Sequence, residues 1–532
     1  SSIGRGASHL TPLAFFIAAA ISGSAMAADS KPLVLDATQI EDSALVPADE
    51  AGQLGYTVES SRSSTGLKLT PRQTPQSVTT ITRQQMDDRA IHTIEQALET
   101  TPGVTASKAE VGGRTDYRAR GYSISNWKVD GLQTQGGSDF SGSGNALNMD
   151  LYERIDIVRG ANGLLGGTGD PSATVNLIRK APTKTFGGSA YATYGSWDKR
   201  RLGADLNLPL SEDGRLRSRF VMTQQDANSF RDNQSERSRA ALANFEFDLD
   251  DATTLSFGLM HEVKNITPHN GYPATLSGEV PDFSHSRFLG ADWNYFDGKT
   301  TDLVAELTHR FDNGGYGRVA ARGSHRDTNY LYAFTATNAT TGANSERASA
   351  RDFTQDTYSL DASYSQPFET FGQVSEFVVG SDYKNYDTEY LNGTTNLGAI
   401  NVNTYSPKQF AKPSPNYSTE TGMQEEEYGL YSKVTFRPVE RLALIAGGRF
   451  SWYRGDFYTT TLSSGATTND SKRVDGHFTP YGGLVYDLTS NVSLYTQYST
   501  SAEPPGGTLT SASISQVGDF DLSTGRQVEV GS

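Results

Sequence analysis

The sequence predicts a transmembrane antiparallel β-barrel preceded by a compact α/β domain, and three observations predict it. After Phe186, strand-length segments with a two-residue apolar period follow one another to the end of the chain. Short turns and long polar connections alternate between them, as they do between the two ends of an outer-membrane barrel. The chain is 36% hydrophobic with a mean hydropathy of -0.50, and past its opening residues it holds no apolar stretch long enough for a spanning helix. A barrel conceals its apolar side chains in alternation, so it reads as hydrophilic on average. The 26 Tyr, 24 Phe and 53 Gly fit that class.

Residues 1–27 read as an export signal. Arg5 and His9 precede an apolar core, Leu13 to Ile21, and Ala25-Met26-Ala27 supplies the small residues a signal peptidase needs. The core is too short to span a bilayer as an anchor. Residues 28–64 mix small, acidic and turn-forming types with no sustained period, which predicts an extended, mobile segment. Within it, Leu33 to Ile40 is a strand-prone run suited either to joining a partner's sheet edge or to plain linkage.

Residues 65–182 are predicted to form the α/β domain. Ser77 to Ile81 reads as a strand, with Thr82 capping the helix that follows. Thr93 to Leu98 is a second short helix closed by Pro102-Gly103. Arg154 to Val158 and Thr174 to Ile178 are strands, and Gly160 to Gly169 between them is a tight loop.

Residues 183–532 supply the barrel strands. Tyr428, Leu430, Val434 and Phe436 share one face, against Gly429, Tyr431, Lys433, Thr435 and Arg437 on the other. Leu442, Leu444, Ala446, Phe450 and Trp452 repeat the pattern, as do Phe245, Phe247 and Leu249, then Leu255, Phe257 and Leu259. Short turns are expected at Asp250-Asp251, Pro438-Val439-Glu440 and Thr489-Ser490-Asn491, and long loops at 266–299, 333–352, 387–424 and 459–475. Roughly thirteen or fourteen strands fit, where plugged transporters have about 22. The expectation is therefore a chain that stops before its barrel closes, since open edges in lipid cost several kcal/mol per unsatisfied group.

Composition also excludes chemistry. With no cysteine there is neither a disulfide framework nor a thiolate metal site, and the eight histidines show no paired ligand spacing. No nucleophile elbow or Walker loop occurs, so no enzymatic or nucleotide-driven activity is predicted and no cofactor is expected. A net charge of -15 opposes a nucleic-acid partner.

Several motifs occur together in order. They are Thr74-Pro75-Gln76-Ser77-Val78, Thr101-Pro102-Gly103-Val104, Arg118-Ala119-Arg120-Gly121-Tyr122, Val129-Asp130-Gly131, and the run from Glu153 to Gly160. Gly166 to Ser172 and Val175 to Lys180 complete the set. Together they resemble the plug motifs of TonB-dependent outer-membrane receptors, in the siderophore branch. Asp292 to Tyr295 and Thr479 to Asp487 are similar to ferric coprogen and other ferric hydroxamate receptors.

The resemblance implies a barrel filled by the N-terminal plug, in the outer membrane of a Gram-negative bacterium. It implies active import of a ferric siderophore, of hydroxamate type, or of another scarce nutrient such as cobalamin or a glycan. The partners implied are TonB, gripping a box assigned to Leu35, Asp36, Ala37, Thr38, Gln39 and Ile40, and outer-membrane lipid. Iron would arrive already chelated, so the site needs donors and aromatic surface rather than metal ligands.

On the plug, Arg114 resembles the apical arginine that contacts ligand, and Gln135 and Gly136 match a neighbouring contact loop. Tyr117 and Trp127 either join that site or pack inside the plug. In the outer loops Tyr272, Trp293, Tyr295, Tyr330, Tyr332 and Phe334 are candidate walls of the pocket, with interfacial girdle positions as the alternative.

Overall fold

The computed structural model describes residues 53–63, 66–108, 113–134, 147–279, 282–503 and 522–532. The export signal, the box at Leu35 to Ile40, Gln135 and Gly136 lie outside the described residues.

The plug is built on a five-stranded mixed sheet. Its order is Val78–Thr82, Tyr152–Arg159, Ala173–Arg179, Asn126–Val129 and Leu132–Thr134, with the third and fourth strands parallel. A three-stranded sheet, Val104–Lys108, Thr115–Ala119 and Tyr122–Ser123, completes it. Thr82 caps the helix Arg83–Asp88 by accepting from the Gln85 N–H. Thr93 caps Ile94–Glu99 in a reciprocal arrangement with Gln96, so the side chains at both helix starts satisfy orphan backbone donors. The core gathers Met86, Ile94, Leu98, Trp127, Ile155, Ile157 and Leu177, all nearly inaccessible.

Two expectations for this region are corrected. Residues 53–63, expected to belong to the mobile segment, form the hairpin Gln53–Leu54/Thr57–Val58 and dock on the plug. Tyr56 Oη donates to Asp88 at 3.0 Å, and the Ser61 and Ser63 hydroxyls donate to Asp156 at 2.9 and 2.7 Å. Short polar side chains hold this segment, so an apolar-period criterion passes over it. The loop 160–169 contains the helical turn Gly163–Gly166.

The barrel wall is a fourteen-stranded antiparallel sheet in simple sequential order, from Gly187–Gly195 to Ser523–Gly531. Its apolar face points outward: Tyr428 and Leu430 are 50% exposed, whereas Tyr431, Lys433 and Thr435 further along the same strand are buried against the interior. Turns at 249–252, 440–441 and 488–492 are short, as expected.

At the opposite end the loops are shorter than expected, because the strands run on. Tyr316–Thr337 has 22 residues, and Asn344–Thr370 and Gln373–Ala399 have 27 each, where about 9–11 cross a membrane at a tilt. The stretches 333–352, 387–424 and 459–475 were expected to be loops; they reduce to connections at 338–343, 400–418 and 462–465. Rich in polar and small residues, these strand ends lack the strict alternation that marks their apolar halves. They form ribbons that overhang the membrane.

Polar joints tie plug to wall. Arg201 Nη2 donates to Asp150 at 2.6 Å, and Tyr191 also donates to that carboxylate. Burial alone would raise the Asp150 carboxyl, but His92 and Arg201 hold it far below the usual carboxylate range. On another side Thr168 donates twice to Glu427, at 3.0 Å from its N–H and 2.6 Å from its hydroxyl. Glu427 is gripped in turn by Lys384 at 2.8 Å and Arg449 at 3.2 Å, and Arg449 also pairs with Asp382. Gly167 permits this approach: its φ is +71°, and a Cβ there would lie 2.5 Å from Glu427 Oε1. At the short-turn end Arg72 donates to Asp487 and Ser493, each at 2.9 Å. A cavity of about 130 Å³ remains between plug and wall, lined by Arg62, Lys128, Asp130, Arg318, Asp361 and Asp382 among others.

Candidate functional site

At the overhanging end, the plug and one segment of wall converge on a cation held among tyrosines. Arg114 immediately precedes the plug strand Thr115–Ala119. Its guanidinium donates to Tyr332 Oη at 2.7 Å and lies 5.7 and 5.8 Å from the ring centres of Tyr330 and Tyr332. The two tyrosines are an i, i+2 pair on the strand Tyr316–Thr337, so they face the interior together, and Phe334 extends the row. Of the residues proposed from sequence, Arg114, Tyr330, Tyr332 and Phe334 are thus brought together.

Neighbouring strands add groups that the sequence reading missed. Phe296 stacks on Tyr330 with ring centres 5.2 Å apart. Arg351, the register partner of Tyr330, lies between the rings of Tyr330 and Tyr390 at 5.9 and 4.7 Å and donates to Asn392 Oδ1 at 3.2 Å. One row across the sheet therefore carries Phe296, Tyr330 and Arg351 on a single face. Alternation alone could have found Phe296, once its neighbour Tyr295 was put on the opposite face. Arg351 needs the strand register, which no local pattern encodes.

The other candidates sit elsewhere. Tyr117 and Trp127 are each 1% exposed in the plug core with ring centres 5.8 Å apart, and Trp127 Nε1 donates to Ile124 O at 2.9 Å. They pack inside the plug rather than line a pocket, and burial pushes the Tyr117 phenol well above its ordinary pKa.

Trp293 and Tyr295 lie on the outer face, the opposite phase from Phe296. Trp293 Nε1 donates to Phe410 O at 3.0 Å, and Lys412 sits 4.7 Å over the Tyr295 ring, so both seat the 400–418 connection against the wall's exterior. Tyr272 is internal to the 267–294 loop, donating to Arg287 O at 2.8 Å and packing on His269 and Phe283. Burial, with Arg231 nearby, pushes His269 down to about 3, so the loop is pinned by a neutral ring.

A guanidinium with directed N–H donors, set among tyrosine hydroxyls and ring faces, can bind a ligand rich in oxygen and carrying aromatic or apolar surface. Among the described residues, no three His, Asp or Glu are placed to hold a metal ion.

Comparison with known proteins shows the family. Residues 267–532 match the family described as TonB dependent receptor-like, beta-barrel, and residues 70–174 match the TonB-dependent receptor plug domain. The chain belongs to the TonB-dependent receptors. These are transporters of the Gram-negative outer membrane, not enzymes.

The chain is 32% identical over 473 residues to the ferric-pyoverdine BN7/BN8 receptor of Pseudomonas putida, covering 86% of this chain and 58% of that protein. To the ferripyoverdine receptor of Pseudomonas aeruginosa it is 33% identical over 501 residues, covering 89% and 58%. The crystal structure of a Pseudomonas aeruginosa ferripyoverdine receptor bound to ferripyoverdine superposes with a TM-score of 0.81 at 29% identity, covering 90% of this chain and 64% of that one. The chain therefore spans less than two thirds of the length of these relatives.

Proposed function

We propose that this receptor imports a ferric siderophore across the outer membrane, with hydroxamate groups around the iron, at the expense of work delivered by TonB. The observation that carries the reading is the convergence of Arg114 from the plug with Tyr330 and Tyr332 from the wall. Ligand seated there touches both bodies at once, so occupancy is communicated to the plug by direct contact. Relatives described as receptors for ferric-pyoverdine support the substrate class. The likeness of Asp292 to Tyr295 and Thr479 to Asp487 to ferric hydroxamate receptors supports the hydroxamate chemistry.

Leu35 to Ile40 is the proposed TonB box, because it is a strand-prone run ahead of the plug. Ala37→Pro would remove a backbone donor from that strand. Uptake should then fall while affinity for the ferric ligand stays unchanged; equal loss of both would place the box elsewhere.

The decisive experiment titrates the full-length receptor with iron-free and ferric chelates, cobalamin and oligosaccharides, and follows growth of a deletion strain on each iron source. Saturable binding of a ferric chelate, with uptake lost when TonB is removed, is expected. Saturable binding of cobalamin or a glycan, with no ferric chelate bound, would overturn the reading.

A further inference from the structure

Two outer loops close over the outside of the ribbon whose inside carries Tyr332 and Phe334. The 267–294 loop and the 400–418 connection are bonded to each other. Arg287 Nη2 donates to Val402 O at 2.8 Å and to Tyr405 O at 3.0 Å, and the Asp292 N–H donates to Pro407 O at 3.1 Å. Both loops then meet the ribbon at one carboxyl. Glu346 is the register partner of Thr335, one step along from Phe334 and therefore on the opposite face, and it is 0% exposed. Its two oxygens accept from Thr335 Oγ1 at 3.1 Å and Tyr405 Oη at 3.4 Å.

Hydroxyls, not cations, surround this carboxyl among the described residues. Thr335 faces it from the ribbon and Tyr405 from the connection, while Asp292, from the loop, acts on the Tyr405 phenol and adds negative charge. Arg287 aims Nη2 at the two backbone carbonyls, and Arg347, next in the chain, lies on the inner face with its register partner Phe334. Tyr405 has one hydrogen and two acceptors, Glu346 Oε1 and Gly290 O at 3.2 Å. With Glu346 protonated, a chain runs from its O–H to Tyr405 Oη and from the Tyr405 O–H to Gly290 O, so each group is satisfied. With Glu346 ionised, the Tyr405 hydrogen turns to the carboxylate. The buried Gly290 carbonyl then loses that donor, and a buried charge has only hydroxyls to solvate it.

We propose that Glu346 is a proton-operated pin: its neutral carboxyl keeps the two loops clasped over the ribbon, and its ionisation releases them. Closing the clasp buries the carboxyl, so the closed state holds the proton more tightly than the open one. Burial pushes Glu346 up from 4.5 to about 7, against the two hydroxyl donors. The clasp is therefore firmest below about 4.5, weakens as pH rises from there to about 7, and is loosest above. His269, buried in the same loop and held down at about 3, stays neutral throughout that window. The pin belongs to the rim itself and does not depend on the ligand assigned above.

The test follows hydrogen exchange of the full-length receptor in detergent from about pH 5 to about pH 8.5, with rates corrected for intrinsic chemical exchange. Protection of peptides covering 287–294 and 400–410 should fall about tenfold or more across that range, while the wall strand Thr253–Ile266 keeps its own. Glu346→Gln puts an N–H where the carboxyl hydrogen stood and cannot ionise, so it should hold the clasped level of protection at every pH. Tyr405→Phe breaks the chain and should lower protection even at the acid end. His285→Gln, at the exposed imidazole of the same loop, should leave the profile unchanged.

Protection that is equal at both ends of the range, or that rises with pH, would overturn the inference from the unsubstituted receptor alone. A Glu346→Gln profile that tracks the unsubstituted one, or a pH dependence lost with His285, would give the switch to another group and overturn it as well. Each of these outcomes leaves iron import standing, since the measurement involves no ligand.

Discussion

The plug strand Tyr152–Arg159 and the wall strand Thr419–Val439 share the two-residue period of an extended chain and differ in where they put their hydrocarbon. In the plug, Ile155 and Ile157 are fully inaccessible and close an apolar core. In the wall, Leu430 is half exposed, while Glu427 and Lys433 are 1% and 2% exposed on the interior face. The contrast comes from the medium outside each body. Surrounded by polar neighbours, the plug gains by hiding hydrocarbon. Surrounded by lipid, the wall can leave hydrocarbon outside, and its inward positions are free to carry paired charge as well as apolar side chains. The interface between the two bodies is accordingly mixed: ion pairs and hydroxyl bonds at Asp150, Glu427 and Asp487 stand beside apolar contacts such as those of Leu67, Leu69 and Leu164 with Val378, Ile445 and Val485.

The contrast can be broken most severely at its charged side. Arg449→Ala leaves Asp382 and Glu427 buried beside one cation fewer, and it should cost about 3–5 kcal/mol. The denaturation midpoint of the full-length receptor in detergent reads this directly; an unmoved midpoint would mean that the interior is wet enough to solvate both carboxylates. On the lipid side, Leu430→Arg should cost on the order of 2–4 kcal/mol for insertion into bilayers, the penalty of a cation near mid-depth. Folding yield into vesicles measures it, and tolerance of arginine would show that this face meets protein or water instead.

Arg114→Ala addresses the place where the two bodies meet ligand. It should weaken ferric-chelate binding by about 1–3 kcal/mol, the range for a lost charge-assisted hydrogen bond, with surface abundance unchanged. Unchanged affinity with reduced abundance would make Arg114 a strut between plug and wall. The smallest effect belongs to a purely plug-internal feature: Thr82→Ala removes the cap of Arg83–Asp88 and should cost about 1 kcal/mol. Hydrogen exchange should quicken in that helix and stay unaltered along the wall.

The sequence made the wall legible wherever lipid imposes alternation, and the plug wherever caps and short apolar strands punctuate it. It failed where neither constraint acts. Residues 387–399, with Asp387, Glu389 and Asn392 on an overhanging ribbon, look like loop because water meets both faces. Residues 53–63 look like linker because hydroxyls rather than hydrocarbon hold them.

At the site, Tyr330, Tyr332 and Phe334 were legible as a set because spacing by two fixes a common face. Tyr295 was misplaced by a single step of phase, which is enough to move a side chain through the wall. Arg351 is distant in sequence from Tyr330, Tyr390 and Asn392 alike, and only strand pairing brings them together.

The polar stitching of the plug also has a mechanical meaning. A load applied to the chain ahead of Gln53 meets the Tyr56–Asp88 bond first, then the Ser61 and Ser63 bonds to Asp156, then the apolar seat of Leu67 and Leu69, then Arg72 at the short turn. Thr168 on Glu427 lies nearly a hundred residues further along the same thread. Bonds arranged in series along a thread open one after another under tension, like stitches drawn from one end. The two faces of an apolar interface would have to part together. The force needed is set by the strongest single stitch, not by their sum, so a modest pull could loosen the plug's leading segment while the joint at Glu427 still holds.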